Sequence, residues 1–526
     1  MAERLKVLGP PGTGKTRFLM DICADELSNG RRPDEIIFCS FTRAAVNEAR
    51  DRAITQFGYV EDEFPWFATE HSICYRLLGL TPGNVFNDKE LKNFSRQYHY
   101  DISLFNGSHL ESMETRLYEG MLNTIADHYE FFVNFMENTM LPFNTAYNQF
   151  KRSIGELPDG FTLSGVKDYI DRRNNYKKEH NLWSFPDMIK GVIDRKLRPI
   201  GTKVLIFDES QDSSPLLYEL IKMWSESMES YYIAGDPLQA LFTFAGASPR
   251  LFYEFPGEEH ILRHSYRLTE EVKQFSQRII ERTSLPFPEF QSSGRHHPIG
   301  LALLESVPWE EVGPCFVLAR THYLIKTITE YFMSMGIPFR AERGKHNIIG
   351  TTKGRAFCTL AMIAEGEKVS NEDIAFLCKH TGKPFLKYGA KAKAYRLVDG
   401  MYTIDDLAKI GFTDVFMKTV GSSYFEEALL NIEPEEQTYL KTVYEKGGMR
   451  AFLGESNIIV TTIHGSKGRE KPMVFLTPDL TKRVWEGYIR DREPESMVFY
   501  VGATRAIDEL VILRPTQNYT FPLPSR

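Results

Sequence analysis

The chain has 526 residues, 42% hydrophobic and 25% charged, an ordinary globular balance with core enough for roughly three or four domains. Its net charge of −7 means that any nucleic-acid contact must use a local basic surface rather than bulk charge. Six cysteines (Cys23, Cys39, Cys74, Cys315, Cys358, Cys378) form no CxxC pair, which argues against a zinc site, an iron–sulfur cluster or a disulfide framework and suits a reducing cytoplasm. No apolar run approaches the roughly 20 residues of a membrane span, and the chain enters a strand at once, so no signal peptide is expected and a cytoplasmic location is.

Leu5–Leu8 reads as a short buried strand, followed by Gly9-Pro10-Pro11-Gly12-Thr13-Gly14-Lys15-Thr16, which fits GxxxxGK[ST] at every position. Glycines are needed there so that the backbone curls and points successive N–H groups at phosphate oxygens. Lys15 is placed to reach the β- and γ-phosphates, and the Thr16 hydroxyl to ligate Mg²⁺. Arg17-Phe18-Leu19-Met20 begins a helix whose N-terminus faces the anion. Further buried parallel strands are predicted at Ile36–Cys39, Val204–Phe207 and Tyr231–Ala234. A second set falls at Phe316–Ala319, Ile458–Thr461, Val474–Leu476 and Leu510–Leu513. Two strand groups imply two α/β domains, interrupted by aromatic-rich helical stretches from about Thr81 to Phe185 and from about Ala364 to Lys446.

Asp208-Glu209-Ser210-Gln211-Asp212 directly follows the strand Val204–Phe207. A carboxylate there is where an NTPase holds Mg²⁺, and the adjacent Glu209 can orient or deprotonate the attacking water. The competing reading is an acidic turn capping a helix near Ser213, Ser214 and Pro215.

These motifs resemble, in order, those of superfamily 1 helicases of the UvrD/Rep type. Ala234-Gly235-Asp236-Pro237-Leu238-Gln239 is similar to the GDxxQ element, in which Gln239 would sense the γ-phosphate and Asp236 support the site. Leu262–Arg267 resembles the NYR motif, with Tyr266 on adenine and Arg267 on the γ-phosphate. Thr462–Glu470 resembles LHxxKGLE, placing Glu470 on the nucleotide sugar, and Tyr500–Ala506 resembles YVGxTRA, with Arg505 as a second arginine finger. His464, inside the former motif, fits a packed core group equally well. The resemblance implies ATP and Mg²⁺ as cofactors and two RecA-like parallel-sheet domains of the P-loop NTPase class. Their expected spans are 1–80 with 186–255 and 256–363 with 447–526, carrying mainly helical insertions at 81–185 and 364–446. Because Arg267 and Arg505 fall in the second strand group, ATP would bridge two domains.

The resemblance also implies a single-stranded DNA track: Phe41, Thr42 and Arg43 from a TFTNKAA-like element, Thr69 and His71 from a GTFHS-like one, and Phe242 and Phe244 from an IYxWRGA-like one. An aromatic-x-aromatic pair in a strand would share one face, available for base stacking or for a core. Departures are visible. Only eight residues precede Gly9, so an adenine-reading glutamine motif has no counterpart and base selection would rest on Tyr266 and Arg17. Ala245 stands for the usual Arg after the second aromatic, and Arg469 for a usual Leu. In longer relatives the second insertion contacts duplex DNA; here it carries Lys379, Lys383, Lys387, Lys391, Lys393 and Arg396 beside Phe385, Tyr388 and Tyr395, and the first insertion carries Arg172, Arg173, Lys177 and Lys178. Such runs are often only solvated faces. The expectation is a monomer-competent ATP-dependent 3′→5′ DNA helicase or translocase acting on single strands and junctions, with no membrane partner and no fused nuclease. A translocase that does not unwind and a non-motor switch NTPase are the alternatives.

Overall fold

The computed structural model describes residues 3–40, 43–103, 124–154, 157–341, 348–349, 351–448, 450–453 and 457–524. Five parallel strands make the first sheet: β1 (Arg4–Leu8), β2 (Ile36–Ser40), β3 (Val204–Asp208), β4 (Ser230–Gly235) and β5 (Glu258–Ile261), in the order β2-β3-β4-β1-β5. The three central strands and β2 are near-continuous apolar runs because helices cover both faces. On one face the helix Lys15–Ser28 buries Leu19, Met20, Cys23 and Leu27 with Val7, Phe38 and Ile206. On the other, the helices Phe185–Asp194 and Pro215–Ser225 bury Met188, Ile189, Leu220 and Trp224 against Leu205 and Ile233. Ser214 caps the second of these helices by accepting from the Leu217 N–H, so the capping reading holds for that serine.

The later strands are β6 (Gly300–Ala302), β7 (Cys315–Ala319), β8 (Arg340–Ala341), β9 (Val369–Ser370), β10 (Met401–Tyr402), β11 (Ile458–Thr462), β12 (Lys471–Leu476) and β13 (Ala506–Leu513). Six of them make the second sheet, in the order β6-β13-β12-β7-β11-β8. The other two, β9 and β10, form a separate antiparallel pair. All eight strands expected from apolar runs are present. Three strands of the two sheets, β5, β6 and β8, correspond to no such run, being short and, for β5, largely exposed.

Both expected helical stretches are mainly helical where described, the second also holding the β9–β10 pair. The first is held by an aromatic core, with Phe94, Phe132, Phe150 and Tyr169 fully buried. Beside it Arg173 donates to both Glu130 carboxylate oxygens and to Glu137, and Lys177 pairs with Asp187 at 2.7 Å. Arg173 and Lys177 are therefore internal supports, not part of a basic surface. In the second stretch, Ile374, Leu377, Phe412, Phe416 and Leu440 join Val317 and Val460 of the sheet in one buried cluster.

The chain forms two compact units, Met1–Ile299 with Leu480–Leu510 and Gln517–Arg526, and Gly300–Asp479 with Val511–Thr516. The first unit thus runs past residue 255 to Ile299. Two long-range contacts hold these segments in the first unit: β5 pairs with β1, and the helix Glu270–Ile280 packs on the helix Arg492–Ala503. Arg267 and Arg505 consequently share one unit with Lys15, where the sequence suggested the opposite domain.

Candidate nucleotide-phosphate site

Gly9 follows β1 and donates its N–H to the Gly235 carbonyl at the end of β4, so the loop begins where two parallel strands end. Gly12 and Gly14 adopt φ of 73° and 80°, left-handed values that glycine reaches without a Cβ clash. Gly12 has a second constraint: a Cβ there would lie 2.4 Å from Arg267 Cβ. Thr13 closes the turn by donating from its N–H and hydroxyl to the Pro10 carbonyl, and Gly14 stands as N-cap of the helix Lys15–Ser28. Lys15 Nζ donates to the Gly9 carbonyl at 2.7 Å, folded back over the loop that it would leave for a phosphate. Arg17 lies outside this cradle on the exposed helix surface, 4.0 Å from Asp21.

Thr16 Oγ1 donates to Asp208 Oδ2 at 2.7 Å. Burial, with Glu209 adjacent, pushes the Asp208 carboxyl up to about 6. Its Oδ1 accepts from the Glu209 N–H at 2.8 Å, so both oxygens have a neutral donor, and a hard divalent cation with phosphate oxygens would supply the positive charge that a buried carboxylate lacks. These donors therefore fit Mg²⁺. Glu209 sits at φ 57°, an unusual left-handed value for a non-glycine, immediately after the strand.

Gln211 ties this acidic turn to the next motif. Its Nε2 donates to Glu209 Oε2 at 2.5 Å, while its Oε1 accepts from the Asp236 N–H at 3.0 Å. Asp236, raised by complete burial, accepts from Gln239 Nε2 at 2.6 Å. Gln239 Oε1 in turn accepts from Arg505 Nη2 at 2.8 Å. Burial takes Arg505 down to about 10, and burial together with the Arg505 charge takes Arg267 down to about 9, with Glu209 opposing both shifts. Two buried guanidiniums with Glu209 and Lys15 beside a phosphate-type loop concentrate positive charge where a polyanionic ligand would fit.

The segment before Arg267 locks onto the loop. Ser265 Oγ donates to the Pro11 carbonyl at 2.7 Å, and the Tyr266 N–H donates to the Gly12 carbonyl at 2.9 Å. The Tyr266 ring remains 72% exposed, placed edge-on to His264, which suits a stacking partner for a base. Ser265 and Gln211 carry no signal of their own in the sequence, although each lies inside a recognisable motif. Glu470 is exposed just before β12 in the second unit, and His464 is buried there.

The expected DNA-track residues are less uniform. Phe41 and Thr42 lie outside the described residues, as does the side chain of Arg43, although Arg43 opens the helix Arg43–Phe57. Thr69 precedes the helix Glu70–Leu77 with its hydroxyl 2.8 Å from that of Ser72. His71 packs edge-to-face on the partly exposed Phe185, an aromatic outside every motif. Phe242 and Phe244 are not in a strand. They occupy a 3₁₀ turn, edge-to-face at 6.1 Å and only 7% and 6% exposed, so in this conformation they are core.

Comparison with known proteins agrees with this geometry. Residues 1–259 match the model of the UvrD/REP helicase N-terminal domain, and residues 423–516 that of the UvrD-like helicase C-terminal domain. The chain belongs to the UvrD/REP helicase family. It is 24% identical to DNA helicase II of Escherichia coli (strain K12) over 408 residues, covering 71% of this chain and 54% of that protein. It is 22% identical to the ATP-dependent DNA helicase PcrA of Bacillus subtilis (strain 168) over 635 aligned positions, covering 98% and 81%. PcrA of Staphylococcus aureus (strain MRSA252) is 20% identical, with 99% and 82% covered. The chain spans about half the length of some curated relatives it matches, 54% of the Escherichia coli protein among them. No helix among the described residues is long and apolar enough to cross a membrane.

Proposed function

We propose that this protein is an ATP-dependent DNA helicase that moves 3′→5′ along single-stranded DNA. The observation that carries the reading is the buried relay Asp236–Gln239–Arg505, joined through Gln211 to Glu209 beside the phosphate loop. It links a γ-phosphate sensor to an arginine finger and to the general base.

In this reading the loop N–H groups and Lys15 hold the phosphates once Lys15 leaves the Gly9 carbonyl. Thr16 and Asp208 would hold Mg²⁺, which would neutralise phosphate charge during transfer. Glu209, kept in place by Gln211, accepts a proton from the attacking water. Arg267 and Arg505 stabilise charge on the transferred phosphoryl, and Gln239 reports its departure by exchanging partners within the relay. Tyr266 takes the base face. Thr69 and His71, with Phe41, Thr42 and Arg43, contribute to the strand track through phosphate contacts and stacking. Phe242 and Phe244 support that track from beneath.

The test is ATP turnover with and without single-stranded DNA, followed by strand separation on duplexes with 3′ or 5′ tails. Stimulation by DNA and separation of the 3′-tailed duplex alone are expected. Unstimulated turnover would favour the switch NTPase, and stimulation without separation the non-unwinding translocase.

A further inference from the structure

In a chain of net charge −7, residues 379–398 contain Lys379, Lys383, Lys387, Lys391, Lys393 and Arg396 and no acidic residue. All six are exposed, and none forms an ion pair among the described residues. An exposed segment of one charge sign attracts a polyanion.

The same segment carries two exposed aromatic rings. Tyr388 is 101% exposed and Tyr395 65% exposed. Their exposure comes from an anchored scaffold. Phe385 and Leu386 are buried, Leu386 bridges to Phe412, and Thr413 donates from its N–H to the Phe385 carbonyl and from its hydroxyl to the Pro384 carbonyl. The Lys387 N–H then donates to the Gly411 carbonyl, which fixes the backbone one residue before Tyr388. In the short helix Ala390–Ala394, Ala390 and Ala394 turn inward and are buried, which turns Lys391 and Lys393 outward. A duplex offers phosphates to such a surface but keeps its base faces stacked on each other. An unpaired strand offers both phosphates and bases.

We infer that the Lys379–Val398 face of the second unit binds an unpaired nucleic-acid strand, its lysines on phosphates and Tyr388 and Tyr395 on bases. The inference rests on the DNA-motor reading for its substrate class, but it uses none of the residues of the phosphate site.

The test uses the full chain and a 20-nucleotide strand carrying 5-bromouracil. Irradiation should crosslink the strand to Tyr388 and Tyr395, located by peptide mass spectrometry. In parallel, Lys387→Ala/Lys391→Ala/Lys393→Ala should lower the slope of log affinity against log salt for the strand by about 2, at roughly 0.7 for each phosphate that a lysine no longer neutralises. DNA-independent ATP turnover should not change. Absence of crosslinks within 379–398, an unchanged salt slope, or a loss of affinity for blunt duplex as large as for single strand would each overturn the inference. Crosslinks at these tyrosines without DNA-stimulated ATP turnover would leave this surface standing and remove the motor. Stimulation without the crosslinks would do the reverse.

Discussion

At the scale of single residues, Arg505 and Arg267 carry the strongest expectations. Arg505 donates to Gln239 and Arg267 packs on Gly12, and neither lies among the residues proposed for the DNA track. Arg267→Ala and Arg505→Ala should each lower ATP turnover by about 10³–10⁵, the usual worth of an arginine finger, with little change in DNA affinity. Steady-state turnover and fluorescence anisotropy read the two effects separately. Normal turnover with weakened DNA binding would move the arginines to the strand track. Glu70 gives a second test. It is fully buried at the start of the helix Glu70–Leu77, its Oε1 has no hydrogen-bond partner among the described residues, and burial raises its carboxyl from 4.5 to about 7. Its folded value lies above its unfolded one, so stability is full below about pH 4.5 and falls as pH rises toward 7. The gap corresponds to roughly 3 kcal/mol. Glu70→Gln should remove this slope and melt higher than the parent protein at pH 8. Parallel melting curves for the two proteins across pH 5–8 would refute it.

At the scale of elements, the helix Leu163–Glu179 shows how sequence charge misleads. Arg173 looks like half of a basic pair with Arg172, yet it is 1% exposed and shared by Glu130 and Glu137. Arg173→Ala should cost about 3–5 kcal/mol because it strands buried carboxylates, and DNA affinity should hold. Denaturant unfolding measures the first and a DNA titration the second. Phe244, in its 3₁₀ turn, should behave as core: Phe244→Ala should cost about 3–5 kcal/mol in the same unfolding assay. A variant that melts normally but loses single-strand affinity would restore the stacking role expected from the motif.

For the whole molecule, ligand binding and stability are linked. A ligand at 100 times its Kd stabilises its folded protein by about 2.7 kcal/mol. Saturating Mg-ATP should therefore raise the melting temperature of Glu209→Gln, which binds but hydrolyses slowly because an amide cannot accept the proton. Lys15→Ala should show neither hydrolysis nor the shift, and chelating Mg²⁺ should reduce the shift in Glu209→Gln. An equal shift in the Lys15 variant would reject the phosphate-loop assignment.

Much of this protein is determined by local sequence. A phosphate loop is a backbone conformation dictated by Gly9, Gly12 and Gly14 within a few residues, and buried parallel strands are continuous apolar runs, so both are legible without long-range information. Asp208 at the end of β3 follows from the same local logic. Other features are decisions of the tertiary structure. Whether Phe242 and Phe244 meet solvent or core depends on what packs over their turn, which no period in the sequence encodes. Arg172 and Arg173 are adjacent and alike, yet only the position of Glu130, more than forty residues away, buries one of them. Arg267 and Arg505 join the unit of Lys15 because β5 pairs with β1 and two distant helices pack together. Local sequence sets which chemistry each segment can perform; long-range packing decides which of those groups share a site.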